Sequence, residues 1–409
     1  MLPPRSPGLP KGARTGDNWR VLLCTVYVLG GFALLAAGIG MWQFVAALRF
    51  PLHQRRADAA AGTFAPGVTL LKPLKGSDAA TRDCLRSWFV QDYPGPVQIL
   101  FAVQDASDSA CAIVRSLQEE FPAARVRLEI VERFVGANAK VSKLAHLESL
   151  AEHPFLVLSD ADVRVPADFL RQILAPLADS RVGLVNCFYR LANPVTAAMK
   201  WEAVAINADF WSQVLQSLSL KPQDFALGAT MALPADRLRE IGGFRALADH
   251  LADDYQLGNR IVAKGYRIEL SPVVVECWDP PMNWKQVWSH QLRWNRTIRV
   301  CQPAPYLASV LSNQSLWWLL LLAVSGFAPA TAIVPIRIAL AALFVWRMVQ
   351  VHVLNRRLAG AARLPSPALF AIAKDVLGVG LWVAALFGNR VVWRGVSYTV
   401  GRDGRLTRI

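Results

Sequence analysis

Two kinds of hydrophobic pattern alternate along the chain. From 21 to 48 no charged residue interrupts an apolar run. As a helix at about 1.5 Å per residue it would extend roughly 40 Å, more than a ~30 Å hydrocarbon core requires. A transmembrane anchor over 21–48 is therefore expected. The run is too long for the apolar core of a leader and lacks a small-residue cleavage site, so the anchor should be uncleaved. Between 60 and 280 the pattern changes. Short runs rich in Val, Ile and Leu at 68–71, 97–103, 126–130 and 155–159 predict strands, separated by stretches of helical periodicity. This rhythm predicts an α/β domain with a mostly parallel, Rossmann-like sheet covered by helices. In such sheets ligands bind beyond the carboxyl ends of the strands.

A further apolar block spans 313–390, broken by Arg337, Arg347, a polar turn at 355–367, and Lys374 with Asp375. Its length predicts three spans or re-entrant helices. Arg356 and Arg357 on one side of the last segment, and Arg390, Arg394, Arg402, Arg405 and Arg408 around the basic tail at 391–409, all favour the cytoplasm. Three simple crossings cannot satisfy both groups, so one segment is expected to dip in and return. Around the first span the cations balance: Arg5, Lys11, Arg14 and Arg20 precede it, and Arg49, Arg55 and Arg56 follow it. Within 281–302, Trp284, Trp288 and Trp294 interleave with Lys285, Arg293, Arg296 and Arg299 and no acid intervenes from 283 to 299. That composition predicts an interfacial helix.

Composition sharpens this picture. With 54% hydrophobic and 18% charged residues and a mean hydropathy of +0.29, a wholly soluble chain is excluded. The 44 basic and 30 acidic residues give a net charge of +14. The excess lies beside the apolar segments rather than on the α/β domain, which suits an anionic membrane leaflet and argues against nucleic acid as a partner. Six scattered cysteines, without a C-x-x-C pair, read as free thiols.

Candidate chemistry follows from the strand ends. Asp105 follows the second run, and Asp160 and Asp162 follow the fourth. A D-x-D that closes a buried strand can hold Mg²⁺ or Mn²⁺ together with substrate phosphate oxygens, although an Asp there also serves as a turn former or helix cap. Asp253 and Asp254 open an amphipathic helix, where matching the helix dipole is the plainer role. Arg293 and Trp294 come last.

That ordered series resembles the motifs of family 2-like glycosyltransferases, and more closely those of ceramide glucosyltransferases, family 21. The resemblance rests on LLKPLKG (70–76), QDYP (91–94), VQD (103–105), GANAKVSKL (136–144), SDADVRV (159–165), GATMAL (228–233), LADDYQLG (251–258), RW (293–294) and WRGVSYTV (393–400). It implies a GT-A fold over 60–280 and transfer of a hexose from a UDP-sugar, UDP-glucose first, to a hydroxyl of a ceramide-like lipid with inversion. The hopanoid branch, which moves N-acetylglucosamine to a hopanoid tetrol, is the near alternative. A non-catalytic membrane binding protein is the distant one, and it would be expected to lose one of these carboxylates. By the same resemblance Asp105 holds uridine, Lys140 adds charge at the diphosphate, and Asp160 and Asp162 take Mg²⁺ or Mn²⁺, with Asp160 also at the donor. Asp254 is the general base, and Arg293 and Trp294 close over diphosphate and acceptor. It also implies a multi-pass protein of the bacterial inner membrane with its catalytic domain facing the cytoplasm. Two positions depart from the pattern: His290 stands where Gln or Arg is usual, and Asp253 where Glu is common.

Overall fold

The computed structural model describes residues 15–55, 64–328, 330–362, 366–393 and 395–409. Arg5, Lys11, Arg14, Arg56 and Arg394, weighed above, lie outside them. Helix α1 (Thr15–Arg49) precedes an eight-stranded sheet of order β3-β2-β1-β4-β7-β6-β8-β5. The strands are β1 (Val68–Pro73), β2 (Val97–Val103), β3 (Arg125–Ile130), β4 (Phe155–Ser159), β5 (Val163–Arg164), β6 (Val182–Leu191), β7 (Thr230–Pro234) and β8 (Arg267–Cys277). The four apolar runs of the sequence are β1 to β4, all mutually parallel. The sheet is mixed beyond them, because β7 runs antiparallel to both β4 and β6, while β6 and β8 are parallel.

Helices α2 (Thr81–Arg86), α3 (Ala110–Glu120) and α5 (Phe169–Leu174) cover one face, where Leu85, Val114, Leu117 and Phe169 meet Leu70, Ile99, Phe101 and Val157. The other face is covered by α4 (Ala139–Glu148), α8 (Ala235–Glu240) and α9 (Asp253–Ala263), through Val141, Leu144, Leu238, Leu257 and Ile261 on Leu71, Leu100, Leu158 and Met231. The strands buried on both faces are mostly apolar, with Thr69, Lys72 and Gln98 as buried polar exceptions, whereas β3, at the sheet edge, has only exposed or half-buried positions as RVRLEI. Between β6 and β7, α6 (Ala197–Val204), a π-helical turn (Ala205–Phe210) and α7 (Trp211–Leu218) pack on α1, where Val204, Ala208, Trp211 and Val214 cluster with Phe44 and Ala47.

After β8 come α10 (Trp284–Cys301), α11 (Pro303–Ala308), α12 (Gln314–Ser325), α13 (Ala330–Ala359), α14 (Ala371–Leu386) and a three-stranded antiparallel sheet, β9 (Arg390–Trp393), β10 (Val396–Val400) and β11 (Leu406–Arg408). Three helices among the described residues are long and apolar enough to cross a membrane: Arg20–Arg49, Thr331–Ala359 and Ala368–Leu386. A fourth candidate is the pair Pro303–Ser312 and Gln314–Ser325, bent by 49°. Contacts order these segments. Helix α12 runs back along α1, with Trp318 Nε1 donating to Ala33 O (3.2 Å) and Trp317 stacked on Phe32, and α13 then returns. At its end Arg357 donates to Ala47 O (3.0 Å), Leu48 O and Phe50 O, which satisfies the open carbonyls at the end of α1. Helix α14 is held at both ends: Lys374 pairs with Asp209 of the π-helical turn near its start, and Arg296 of α10 donates to Phe387 O (3.1 Å) just past its finish.

Candidate active site

The carboxyl end of β4 forms the floor of the site. Ser159 is buried, and the chain then turns through Asp160, Ala161 and Asp162 into β5. Backbone bonds fix the turn: Asp160 N donates to Ala229 O (3.3 Å), and Trp278 N donates to Asp162 O (3.0 Å). Beneath it lies Lys72, a fully buried lysine in β1 whose Nζ donates to Asp160 O (2.6 Å) and sits 4.6 Å from the Trp88 ring centre. Burial, the largest influence, pushes its ammonium down to about 8, against the pull of the Asp162 and Asp160 charges.

Helix α4 supplies the opposite wall. Its N-cap Asn138 accepts from Val141 N (3.1 Å) and donates to His250 O (2.8 Å), which ties the helix start to the loop entering α9. Lys140, in the first turn, thereby reaches Asp160 Oδ1 at 2.7 Å and Asp253 Oδ2 at 3.5 Å. Burial opposes the charge on this lysine, but Asp160 and Asp253 outweigh it and hold its pKa well above that of a free ammonium. One cation thus joins the D-x-D to the acidic pair of α9, residues about ninety positions apart in the chain.

Asp254, next to Asp253, accepts from Tyr255 N (2.8 Å) through Oδ1. Burial and then the Asp253 charge raise its carboxyl to about 6, with Lys140 pulling the other way. A Cβ placed on Gly228 would lie 2.6 Å from Asp254 Oδ2, so the small residue leaves the room that this carboxylate occupies. Asp162 is raised to about 7 by burial, then by Asp160 and Asp279. Carboxylates gathered this closely repel, and each one ionised makes the next harder to ionise.

Other expected residues stand elsewhere. Asp105 is exposed at the end of β2 and closes a local turn by accepting from Ser107 N and Oγ, both 2.8 Å, which hold it below its ordinary value. Its neighbour Asp108 accepts from Gly76 N (2.9 Å) and so joins the loops after β1 and β2. Trp294 is half-buried, 4.6 Å from the His290 ring, in a cluster with Leu191, Met199, Trp201 and Leu381. Arg293 is engaged within the protein.

The basic helix differs from its sequence pattern in where its charge goes. Arg296 donates to Phe387 O and Arg390 O, and Arg299 to Gly388 O and Asn389 Oδ1, so these two guanidinia hold the turn after α14. Trp288 packs toward α14 at Gly380, whereas Trp284 remains 49% exposed. His290 Nδ1 and Gln291 Nε2 each lie 2.8 Å from Oε1 of Glu202, a fully buried carboxylate of α6. Glu202 escaped the sequence reading because an acid inside an ordinary helix gives no signal. Lys72 did give one, as a lysine inside an otherwise apolar strand.

Among the described residues no group of three or more His, Cys, Asp or Glu forms a preformed metal cage. Asp160 and Asp162 offer two hard carboxylates at a strand end, and the Lys140 ammonium at Asp160 Oδ1 marks that oxygen as a cation position. Such a set fits Mg²⁺ or Mn²⁺, which take their remaining ligands from phosphate oxygens and water.

A doubly covered mixed sheet with paired acids at the end of a central strand is a GT-A fold. The model of glycosyl transferase family 21 matches residues 28–406, and the chain belongs to that family. Ceramide glucosyltransferase 3 of Caenorhabditis elegans is 23% identical over 211 residues, 50% of this chain and 45% of that protein. The ceramide glucosyltransferase of Candida albicans is 29% identical over 136 residues, 31% of this chain and 25% of that protein. A beta-monoglucosyldiacylglycerol synthase of Synechocystis is 28% identical over 130 residues, 31% of this chain and 26% of that protein. The chain spans less than half the length of these relatives. In structure it is similar to a mannosyltransferase from Pyrobaculum calidifontis in complex with GDP-Man and Mn²⁺, with a TM-score of 0.54 and 20% identity over 87% of this chain and 99% of that one.

Proposed function

We propose that this membrane protein moves a hexose from a UDP-sugar, UDP-glucose first, to a hydroxyl of a ceramide-like membrane lipid, with inversion. The observation that carries the reading is the double contact of Lys140 with Asp160 and Asp253, which gathers the acids of two distant motifs beside Asp254. The names of the family relatives, ceramide glucosyltransferases and a glucosyldiacylglycerol synthase, support a lipid acceptor. Arg356 and Arg357 at the end of α13 and the basic tail, by the preference of such cations for the inner leaflet, support a site facing the cytoplasm, as at a bacterial inner membrane.

In this reading Asp254 takes the proton of the lipid hydroxyl as its oxygen attacks C1. The bond from C1 to the diphosphate breaks, and its electron pair leaves on UDP. A single positioned base fits one in-line displacement, and hence inversion. Asp160 and Asp162 would hold a divalent cation, which supplies charge neutralisation at the leaving diphosphate. Lys140 adds a fixed positive charge at that position, and Lys72 holds the turn that presents Asp160. Asp105, exposed at the end of β2, would hold the uridine, and Arg293 and Trp294 of α10 would close over diphosphate and acceptor.

Purified protein incubated with each UDP-sugar and a membrane lipid extract, followed by mass spectrometry of the lipids, tests this. A hexosyl-lipid made from UDP-glucose is the expected product. An N-acetylhexosaminyl hopanoid would move the reading to the hopanoid branch, and a product on a soluble acceptor alone would refute the lipid assignment.

A further inference from the structure

Tyr189 belongs to neither the motifs nor the mechanism above, yet the sheet places it between them. In β6 it stands opposite Val275, two residues before Leu191, which pairs with Cys277. Cys277 pairs in turn with Val163, the residue after Asp162. Alternation along the strand puts Tyr189 and Leu191 on one face and Arg190 on the other, where Arg190 pairs with Glu276. On its own face Tyr189 joins the apolar cluster of Leu191, Trp201 of α6, Val287 and Trp294 of α10, and Leu381 of α14. Its ring lies 5.6 Å from Phe210.

The phenol is therefore at the junction of two regions. On one side are Asp254 and Asp160 of the proposed reaction and the buried Glu202, whose charges all reach it. On the other is an apolar wall continuous with a membrane helix. The residue is half-buried, and its hydroxyl makes no hydrogen bond to another described residue, which leaves it open to solvent. A solvent-open phenol on an apolar wall keeps one polar end for a ligand that can replace its water.

We infer that Tyr189 is a substrate-contacting residue whose hydroxyl donates a hydrogen bond to the polar head of the acceptor, beside the attacking oxygen, and holds that oxygen against Asp254. The half-buried members of the same cluster, Met282, Trp294 and Phe370, then receive the first methylenes of the acceptor chain. Burial, followed by the neighbouring Cys277 and Asp254, keeps the phenol protonated well above the ordinary tyrosine range. It consequently acts as a donor and does not compete with Asp254 for the proton. The inference rests on the reading of the acceptor as a membrane alcohol, while the donor side of the site is left to the residues already described.

Tyr189→Phe in the full chain, reconstituted in lipid nanodiscs, is the test, because it removes the hydroxyl and keeps the ring. Loss of one neutral hydrogen bond should raise the acceptor KM or lower kcat/KM for the acceptor by roughly five- to tenfold. The KM for UDP-sugar and the rate of donor hydrolysis by water should stay unchanged, two readouts that a general loss of structure would also move. Unchanged acceptor constants overturn the inference, as does a change confined to the donor KM. If the unmodified enzyme proves to use a soluble alcohol, the lipid reading fails separately, and the same ratio measured with that alcohol still judges Tyr189.

Discussion

Gly228 and Asp254 face each other so closely that a methyl group on the glycine would lie 2.6 Å from the carboxylate oxygen Oδ2. The loop before β7 is thus shaped around a single side chain of α9. Gly228→Ala should move that carboxylate, and displacement of a catalytic group by about 1 Å costs on the order of 10²-fold in turnover. Steady-state kinetics should show the loss in kcat with UDP-sugar binding preserved, and an unchanged kcat would remove Asp254 from the reacting position.

Activity should depend on pH through Asp254. A base must be ionised to accept a proton, and burial with Asp253 raises this carboxyl to about 6, so kcat should climb as pH rises through about 6 and then level off. Lys140 opposes that rise. Lys140→Met should therefore move the acidic limb to higher pH. A limb that moves down, or stays in place, would assign it to another group.

Asp254→Asn keeps size and loses basicity, and it should lower turnover by a factor of about 10² to 10⁴ with donor affinity nearly intact. Equal damage from Asp253→Asn, with little at Asp254, would shift the base by one residue.

Chelation should abolish transfer, because Asp160, Asp162 and a diphosphate repel one another without a cation between them. The check is activity after EDTA and its recovery on adding Mg²⁺ or Mn²⁺. Full activity in EDTA would leave the two carboxylates with a structural role or a contact to the sugar.

Arg347 of α13 is clamped between Asp375 of α14 (2.8 and 2.9 Å) and Asp209 of the π-helical turn (2.9 Å), all three buried. Removing one partner of such a pair leaves an uncompensated buried charge, which costs about 3–5 kcal/mol. Asp375→Asn should lower the thermal unfolding midpoint in detergent far more than Arg55→Gln, whose pair with Asp168 is partly exposed. Equal shifts would mean that the clamp contributes no more than a surface pair.

Local pattern was enough to read the parallel half of the sheet, since β1, β2 and β4 are buried on both faces and no polar alternation could survive there. The same holds for α1, whose uninterrupted apolar length has few other solutions. The acids at the strand ends were legible too, as motifs. Their meeting was not: Asp160 and Asp253 come together through Lys140 because Asn138 ties the start of α4 to His250, a long-range bond that leaves no trace in spacing. The fate of charge was likewise hidden. Arg296 and Arg299 look like headgroup cations along a helix, and only the fold shows them bonded to the turn after α14. The partners of Glu202, the setting of Tyr189 and the pairing of Lys374 with Asp209 depend on which elements pack together. Hydrophobic periodicity specifies an element and its buried face, but a hydrogen bond or ion pair is set by distance in space, which only the tertiary structure decides.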